Sequence, residues 1–272
     1  MKQLDATSLT ALLSPKPGPV LTWFGEQLEP QTDSSPRVGR ERVELSGPVA
    51  RRWLAKTDNF MASEFPFGAT SFSVFLTPHW RAPLWIAACW MRGLRQRPPR
   101  NLDQVDLAVS DDLRFLTTLQ DEIGPDVLVA QTPESFAFAW PAELPFGITD
   151  GTADVMSFGD EVEMPYIAPG DTLVVSEDID WLPPGLLVDP QKALLHLNDL
   201  LNHDYLGLEG TLSDPTSPLD SHRVLVTTAD PTLFAAQLIQ LWIRGASVVW
   251  VPGGRDARRI AQTEKVTLRV GG

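Results

Sequence analysis

The apolar positions of the first hundred residues alternate between strand spacing and helix spacing. Residues 20–24 read as an edge strand or hairpin arm, and residues 70–77 as a second strand. Between them, Ser46 is the predicted N-cap of a helix with a core-facing apolar stripe. Residues 80–92 are apolar almost all round, which predicts a helix that is buried on more than one side and ends at Gly93.

The middle of the chain continues this alternation less regularly. Residues 105–109 and 127–130 are predicted strands joined by a helix capped by Asp111, and such a β-α-β unit has parallel strands and a right-handed crossover. Asp189 followed by proline predicts a helix start, with an apolar face that runs through residues 194–201.

The last fifty residues repeat the first strand–helix unit. Asp230 is the predicted cap of a helix, and the ending of that helix, residues 242–246 (WIRGA), echoes residues 90–94 (WMRGL). Strands and helices are predicted in turn at residues 223–228, 232–244, 246–251, 256–263 and 266–270. The echo predicts two related α/β subdomains, the alternative being a chance likeness of two helix ends.

These elements divide the sequence into three parts. Residues 1–140 are a predicted first α/β subdomain, and residues 189–272 a predicted second one. Residues 141–188 are acidic and rich in Gly and Pro, with short strand candidates such as residues 172–175, and are predicted to connect the two.

Charge is distributed unevenly along this chain. The net charge is −13, but residues 101–220 hold two Lys/Arg against 24 Asp/Glu, while both flanking parts are net positive. So acidic a segment repels nucleic acid and polyphosphates, because their binding depends on Lys and Arg. It is either a solvated acidic surface or a docking face for a protein partner with a basic surface.

Composition and apolar runs also indicate where in the cell the protein is expected. Hydrophobic residues make up 43% of the chain and charged residues 21%, the ordinary globular range, and the nine Trp residues are expected mainly in the core. The start of the chain lacks the apolar run of a signal peptide, and residues 82–91 cover about half of a bilayer span. We therefore expect a cytoplasmic protein with no membrane span. Cys89 alone can form neither an intramolecular disulfide nor a Cys-based zinc cluster.

Four residues are candidates for a ligand pocket: His79, Thr227, Thr228 and Asp230. They follow predicted strands, and ligands of α/β sheets bind at the carboxyl ends of strands. Two of them have a plainer interpretation, since His79 suits capping or packing and Asp230 is first of all an N-cap. No catalytic residue and no metal site is predicted. His196 and His203 would lie about 10 Å apart on one helix, too far to share a metal ion.

Two stretches carry a family resemblance. One is residues 73–80 (SVFLTPHW), followed by a buried helix that ends in Arg-Gly, and the other is residues 224–252, where a strand and helix lead to a Gly-Ala-strand-Val-Pro run. Both resemble the adenylate-forming enzymes, which include acyl-CoA synthetases, luciferases and nonribosomal adenylation domains. Pattern and length are most similar to truncated, uncharacterised bacterial relatives. The resemblance implies an α/β fold of two related subdomains with mainly parallel sheets, like the N-terminal domain of those enzymes.

The features that the family uses for ATP are not found in this sequence. Its phosphate loop would fall between residues 145 and 190, where residues 149–152 (TDGT) come nearest but carry an acid, no lysine and no adjoining helix start. The adenine motif and the C-terminal lid domain with its catalytic lysine are also absent from these 272 residues. Where the family has a His after the second-subdomain strand, this chain has Ala229-Asp-Pro.

The leading hypothesis is a non-catalytic relative of adenylate-forming enzymes that acts by binding or assembly and uses no cofactor. One alternative is a small enzyme with a different site on the retained scaffold, near His79 and Asp230. The other is a partner subunit of a split acyl-activating enzyme, which would co-purify with a protein that carries the missing parts.

Overall fold

A computed structural model describes residues 6–28, 38–64, 69–97, 102, 105–163, 173–175, 194–196, 206, 208–209 and 218–270. The chain folds into two sheets with helices between and outside them. Sheet I has six strands in the order β10-β13-β11-β12-β1-β2, and sheet II has seven in the order β7-β6-β5-β3-β4-β8-β9. Every pairing is parallel except β1–β2, β10–β13 and β8–β9. The predicted fold class, α/β with mainly parallel sheets, is confirmed.

The strands are short and mostly follow the predicted apolar runs. Those of sheet I are β1 (Pro19–Leu28), β2 (Val38–Ser46), β10 (Leu208–Glu209), β11 (Arg223–Val226), β12 (Ser247–Trp250) and β13 (Leu268–Val270). Those of sheet II are β3 (Ser71–Phe75), β4 (Arg95–Gln96), β5 (Leu107–Ser110), β6 (Val127–Ala130), β7 (Ile148–Asp150), β8 (Leu173–Val175) and β9 (Leu194–His196).

The described residues form seven α-helices, six of which follow a strand. They are α1 (Ala6–Leu13), α2 (Gly47–Glu64), α3 (Arg81–Met91), α4 (Leu113–Glu122), α5 (Ala153–Ser157), α6 (Pro231–Ile243) and α7 (Ala257–Thr263). α3 and α6, the two helices of the sequence echo, pack against each other between the sheets, and every residue of α3 is buried. The echoed units thus meet in a filled core.

Alternation along the strands builds five layers. In β5, Leu107 and Val109 face α3 and α6, the central helices, while Ala108 faces α4. In β12, Val248 and Trp250 face the central helices while Val249 faces α7. Because side chains alternate across a strand, each sheet has two apolar faces that helices must cover. The order of layers is α4, sheet II, the central helices, sheet I and α7.

Three local expectations are corrected by the structure. Leu194–His196 is a strand paired antiparallel with β8, so the helix predicted through this point is wrong there; the pairing outweighs the local capping signal. His196 is therefore strand rather than helix, and His203 lies outside the described residues. The cap of α4 is Asp112, because the predicted cap, Asp111, instead binds the backbone N–H and hydroxyl of Thr77.

The sheets also cut across the predicted domain limits. β1 and β2, from the first predicted subdomain, belong to sheet I with the C-terminal strands, since β1 pairs with β12. β7 lies within the predicted connecting segment but extends sheet II next to β6. Whether residues 1–140 and 189–272 behave as separate units stays a prediction. None of the helices in the described ranges is long and apolar enough to cross a bilayer.

Candidate functional site

A cleft of about 590 Å³ opens where the carboxyl ends of strands from both sheets converge. This strand-end cleft is lined by residues 23–25 of β1, 77–79 after β3, 252, 253 and 255 after β12, and by Glu41, Pro133 and Ala229. Parallel strands carry ligand sites at this end because the following loops and helix starts supply free polar groups. Two of the predicted turns, after β3 and after β11, thus reach one cavity.

Trp23 forms one wall of the cleft. Its indole N–H donates to the carbonyl of Pro78 at 3.1 Å, and its ring meets His79 edge-on with 4.8 Å between centroids. Gly25 makes this placement fit, because a Cβ atom there would lie 2.0 Å from the Trp23 ring. Trp23 joins the turn after β3 to sheet I.

His79 lies on the cleft wall with both ring nitrogens engaged. Nδ1 accepts the backbone N–H of Arg81 at 3.3 Å, so Nε2 carries the proton and donates to Ser135 Oγ at 3.1 Å. Burial, aided by the charge of Arg81, lowers the pKa of His79 to about 3. The imidazole is therefore neutral at physiological pH, and it shapes the wall and caps α3, the plainer of its two predicted roles.

Arg81 holds the segment after β6 against the cleft. Its guanidinium donates to the carbonyls of Thr132, Glu134 and Ser135 at 2.9–3.3 Å, and it lies 4.5 Å from the ring centroid of Trp80. Burial lowers its pKa to about 10, so it remains a cation. Sequence reasoning missed Arg81 and Ser135; the available signal was a single cation at the start of a helix that is otherwise apolar.

The other predicted site residues lie in the turn after β11, beside the cleft rather than on its wall. The carbonyl of Thr227 accepts the N–H of Gly253, and that of Thr228 accepts the indole N–H of Trp250. Asp230 Oδ1 accepts the N–H of Leu233 at 2.7 Å, the contact of an N-cap. Of this turn, Ala229 lines the cleft. Of the four predicted residues only His79 lines the cleft, and a ligand role for them stays a prediction.

Residues 149–152, the segment most similar to the family's phosphate loop, include an Asp side chain that binds the backbone N–H groups of its own turn. Asp150 Oδ1 accepts the N–H groups of Thr152 and Ala153 at 2.9 and 3.1 Å, and Oδ2 accepts that of Trp140 at 2.6 Å. The expectation of no adjoining helix start is wrong, because α5 begins at Ala153. The free N–H groups that a phosphate would need there are bound by the Asp150 carboxylate.

Two charged residues that sequence reasoning did not select, Glu41 and Arg255, also line the cleft. A smaller cavity of about 280 Å³ on the far side of Phe24 is lined by Arg42, Arg259 and Glu264. There, hydrogen bonds from Arg42 and Arg223 lower the pKa of Glu264, so this carboxylate is ionised between two cations. Phe24 lines both cavities.

The described residues give little support to a reactive thiol or to a metal site. Cys89 is fully buried on α3, and burial raises the pKa of its thiol, which favours the unreactive protonated form. Across the described ranges, no group of three or more His, Cys, Asp or Glu side chains is placed to hold a metal ion.

Comparison with known proteins places this fold. No family model matches the sequence. A curated Mycobacterium tuberculosis protein, named as a TIGR03089 family protein, is 28% identical over 137 residues, which are 49% of this chain and 55% of that protein. The chain thus spans about half the length of the curated relative that it matches.

Solved structures match nearly the whole chain at low identity. The amide bond synthetase McbA of Marinactinospora thermotolerans superposes with a TM-score of 0.60 at 11% identity, over 96% of this chain and 47% of that one. Acetoacetyl-CoA synthetase of Streptomyces lividans gives 0.60 at 15%, over 97% and 41%. The adenylation domain of a carboxylic acid reductase of Segniliparus rugosus, solved with AMP and a co-purified carboxylic acid, gives 0.58 at 10%, over 93% and 45%. As the sequence resemblance predicted, the chain has the α/β fold of the N-terminal domain of adenylate-forming enzymes.

Proposed function

We propose that this protein is a non-catalytic relative of adenylate-forming enzymes that binds a small organic carboxylate in the strand-end cleft and does not adenylate it. The proposal rests on two features together: an open cleft, and a turn at the expected phosphate position whose backbone N–H groups are already bound. The cleft lies at the carboxyl ends of strands from both sheets, while Asp150 holds the N–H groups of residues 152 and 153.

The lining of the cleft supports an anionic ligand with an apolar body. Trp23, Phe24 and Pro78 offer apolar and aromatic surface, and Arg255 supplies a guanidinium, a group that donates hydrogen bonds to carboxylates. The similar domain from Segniliparus rugosus was solved with a carboxylic acid and AMP bound. A ligand of this class in the present chain follows from that likeness together with the cleft.

Absence of adenylation is supported by charge around residues 149–152. An ATP phosphate placed there would meet the Asp150 carboxylate, with Asp154 close by, since Asp154 Oδ2 accepts the N–H of Asp150 at 3.2 Å. Two carboxylates repel a polyphosphate, and the sequence between residues 115 and 163 contains no lysine or arginine.

Titration calorimetry tests the proposal directly. We expect benzoate or hexanoate to bind at one site per chain, and ATP·Mg to give no heat of binding at micromolar concentration. Ala229→Trp fills the cleft and should abolish carboxylate binding, whereas Ala142→Trp, an equally large change at an exposed position, should not. Micromolar binding of ATP·Mg, or equal binding by the two variants, would contradict the proposal.

The second candidate is the small enzyme, favoured by one observation. Glu41, His79 and Arg255 bring an acid, an imidazole and a cation to one cleft from both sheets. His79 is a poor general base, however, because Nε2 already carries a proton and the pKa is low. Turnover of an acyl ester or thioester that is lost in Glu41→Gln but kept in Glu44→Gln would establish this candidate.

A further inference from the structure

One loop concentrates the exposed aromatic surface of the molecule. Phe136, Phe138 and Phe146 are 74%, 88% and 99% exposed, and they are the three most exposed large apolar side chains among the described residues. All three belong to residues 131–147, which follow β6 and are named the aromatic loop. Single exposed apolar residues are ordinary, but several in one short loop mark an interaction surface.

The aromatic loop is firmly attached to the fold. Arg81 donates to three carbonyls at its start, Asp150 accepts the N–H of Trp140 at 2.6 Å in its middle, and Gln120 donates to the carbonyl of Phe146 at 3.0 Å at its end. Trp140 and Leu144 pack against the outer apolar cluster of sheet II. The Phe side chains are therefore presented by an anchored backbone.

The sequence around the loop is strongly acidic. Residues 115–163 contain ten Asp/Glu and no Lys or Arg. Glu134 and Glu143 are exposed within the loop itself. The bond from Gln120 to Phe146 also places the carboxyl end of α4, with exposed Asp121 and Glu122, beside the loop.

Acidic residues farther along the chain are neutralised by the fold, in contrast to those of the loop. Asp160 pairs with Arg52 and Lys56 at 3.0 and 2.9 Å, and Glu161 pairs with Arg51. Within the described ranges, no such ion pair involves Asp121, Glu122, Glu134 or Glu143, the carboxylates in and beside the loop.

We propose that the aromatic loop and its flanking carboxylates form a docking surface for a protein segment that is both basic and apolar, such as an amphipathic helix rich in Lys or Arg. The Phe rings supply apolar contact area, and the carboxylates select a basic partner and guide its approach. A two-fold dimer through this surface would set acid against acid. Nucleic acids and anionic membranes are repelled for the same reason. Pro133 of the loop also lines the strand-end cleft, but none of the three Phe residues does, so the inference does not depend on the ligand proposed there.

Binding of designed peptides tests the surface. The probe is an 18-residue amphipathic helix of Leu and Lys, compared with a Leu–Glu helix and with an equally charged Lys–Gly peptide that has no apolar face. We expect the Leu–Lys helix alone to bind the full chain with micromolar affinity, and the affinity to fall with added salt. If the Lys–Gly peptide bound as tightly as the Leu–Lys helix, binding would depend on charge alone, and the proposal would be overturned.

Variants locate the contact. The triple variant Phe136→Ser, Phe138→Ser and Phe146→Ser should weaken Leu–Lys binding at least about tenfold, since aromatic anchors carry much of the binding energy in interfaces. Ile243→Ser, which changes an exposed apolar residue of α6, should leave it unchanged. Because all four positions are exposed, the melting temperatures should match the wild type, which separates lost binding from lost folding.

A change in the loop backbone provides a second test of the surface. Gly147 has φ of 85°, and a Cβ there would lie 2.6 Å from Gln120 Nε2, so Gly147→Ala should displace the bond that holds Phe146. Binding should weaken although all three Phe residues remain. Undiminished binding by the triple variant, a Phe-dependent self-association in sedimentation, or Phe-dependent binding to phosphatidylcholine vesicles would each overturn the proposal.

Discussion

The two strand–helix units, β3–α3 and β11–α6, end their helices alike and begin them differently. Gly93 and Gly245 follow the helices with φ of 73° and 94°, and their N–H groups donate to the carbonyls of Trp90 and Trp242. In both units the next residue donates to the carbonyl five positions earlier, at 3.1 and 2.9 Å. These are the two bonds of a Schellman cap, which glycine permits through its positive φ.

The helix starts differ in what holds the side chain that accepts from the first N–H groups. α6 is capped from its own sequence by Asp230, whereas the cap position of α3, Trp80, makes no capping bond and the N–H of Arg81 is taken by His79. His79 is in turn fixed by Ser135 and Trp23, which come from other parts of the chain. Local sequence thus sets the helix ends, and one of the two starts depends on the tertiary structure.

Replacing the tryptophan near the end of each helix should have the largest effect. Trp90→Ala and Trp242→Ala each leave a cavity and should cost about 3–5 kcal/mol of unfolding free energy. The Phe variants should separate the units, because Trp242 Nε1 donates to the Val20 carbonyl at 3.0 Å, while Trp90 Nε1 has no partner in the described structure. Trp242→Phe should therefore cost about 1–3 kcal/mol more than Trp90→Phe in urea unfolding. Equal costs would show that the hydrogen bond of Trp242 does not distinguish the two units.

Acidification should affect the β3–α3 unit more than its counterpart. The pKa of His79 is lowered to about 3 in the fold from about 6.5 when unfolded, so the unfolded chain takes up the proton first. This contribution to stability is full above pH 6.5 and is lost as the pH falls toward 3, at up to about 1.4 kcal/mol per pH unit. His79→Asn should flatten the dependence of unfolding free energy on pH between 6.5 and 4. The same slope in both proteins would show that His79 does not titrate this way.

The two glycines should be costly to replace, but unequally. Alanine at either position is strained by the positive φ and should destabilise by about 1 kcal/mol. At Gly245 the added Cβ would also lie 2.3 Å from Asp220 Oδ1, so Gly245→Ala should cost more than Gly93→Ala in thermal or urea unfolding. Adding Asp220→Ala should recover the excess for position 245; if it does not, strain alone accounts for the cost.

The smallest expected effect concerns the local cap. Asp230→Ala leaves the N–H of Leu233 without its partner and should cost about 1 kcal/mol, most of it restored by Asp230→Ser. Asp112→Ala at the start of α4 is a matched case, since Asp112 accepts from the N–H groups of Arg114 and Phe115. A loss confined to one of the two caps would show that surroundings, rather than capping, dominate there.

Sequence reasoning predicted what short-range patterns encode. The strands and helices of both units follow apolar spacing, and Asp230, Gly93 and Gly245 mark their ends, so the fold class and most element positions were accessible. Leu194–His196 was not, because its helix signal is local while its strand pairing with β8 comes from the tertiary structure.

The candidate site was predictable only in part, for the same reason. The strand-end rule selected the turns after β3 and β11, but no pattern shows that Arg81 reaches the carbonyls of residues 132–135 or that Asp150 caps its own turn. The membership of β1 in sheet I was equally hidden, since hydrophobic alternation shows that a segment is a strand and not which strand is its neighbour.

The pairing of β1 with β12 has a consequence for biosynthesis. Leu21 lies opposite Val248, so the N-terminal hairpin finds its partner more than two hundred residues later in the chain. As the chain leaves the ribosome, strands β3 and β5–β7 can pair early, whereas β1 keeps an open apolar edge until β12 emerges. Sheet I is thus completed only after β12 has left the ribosome, and the waiting edge of β1 needs protection from aggregation until then.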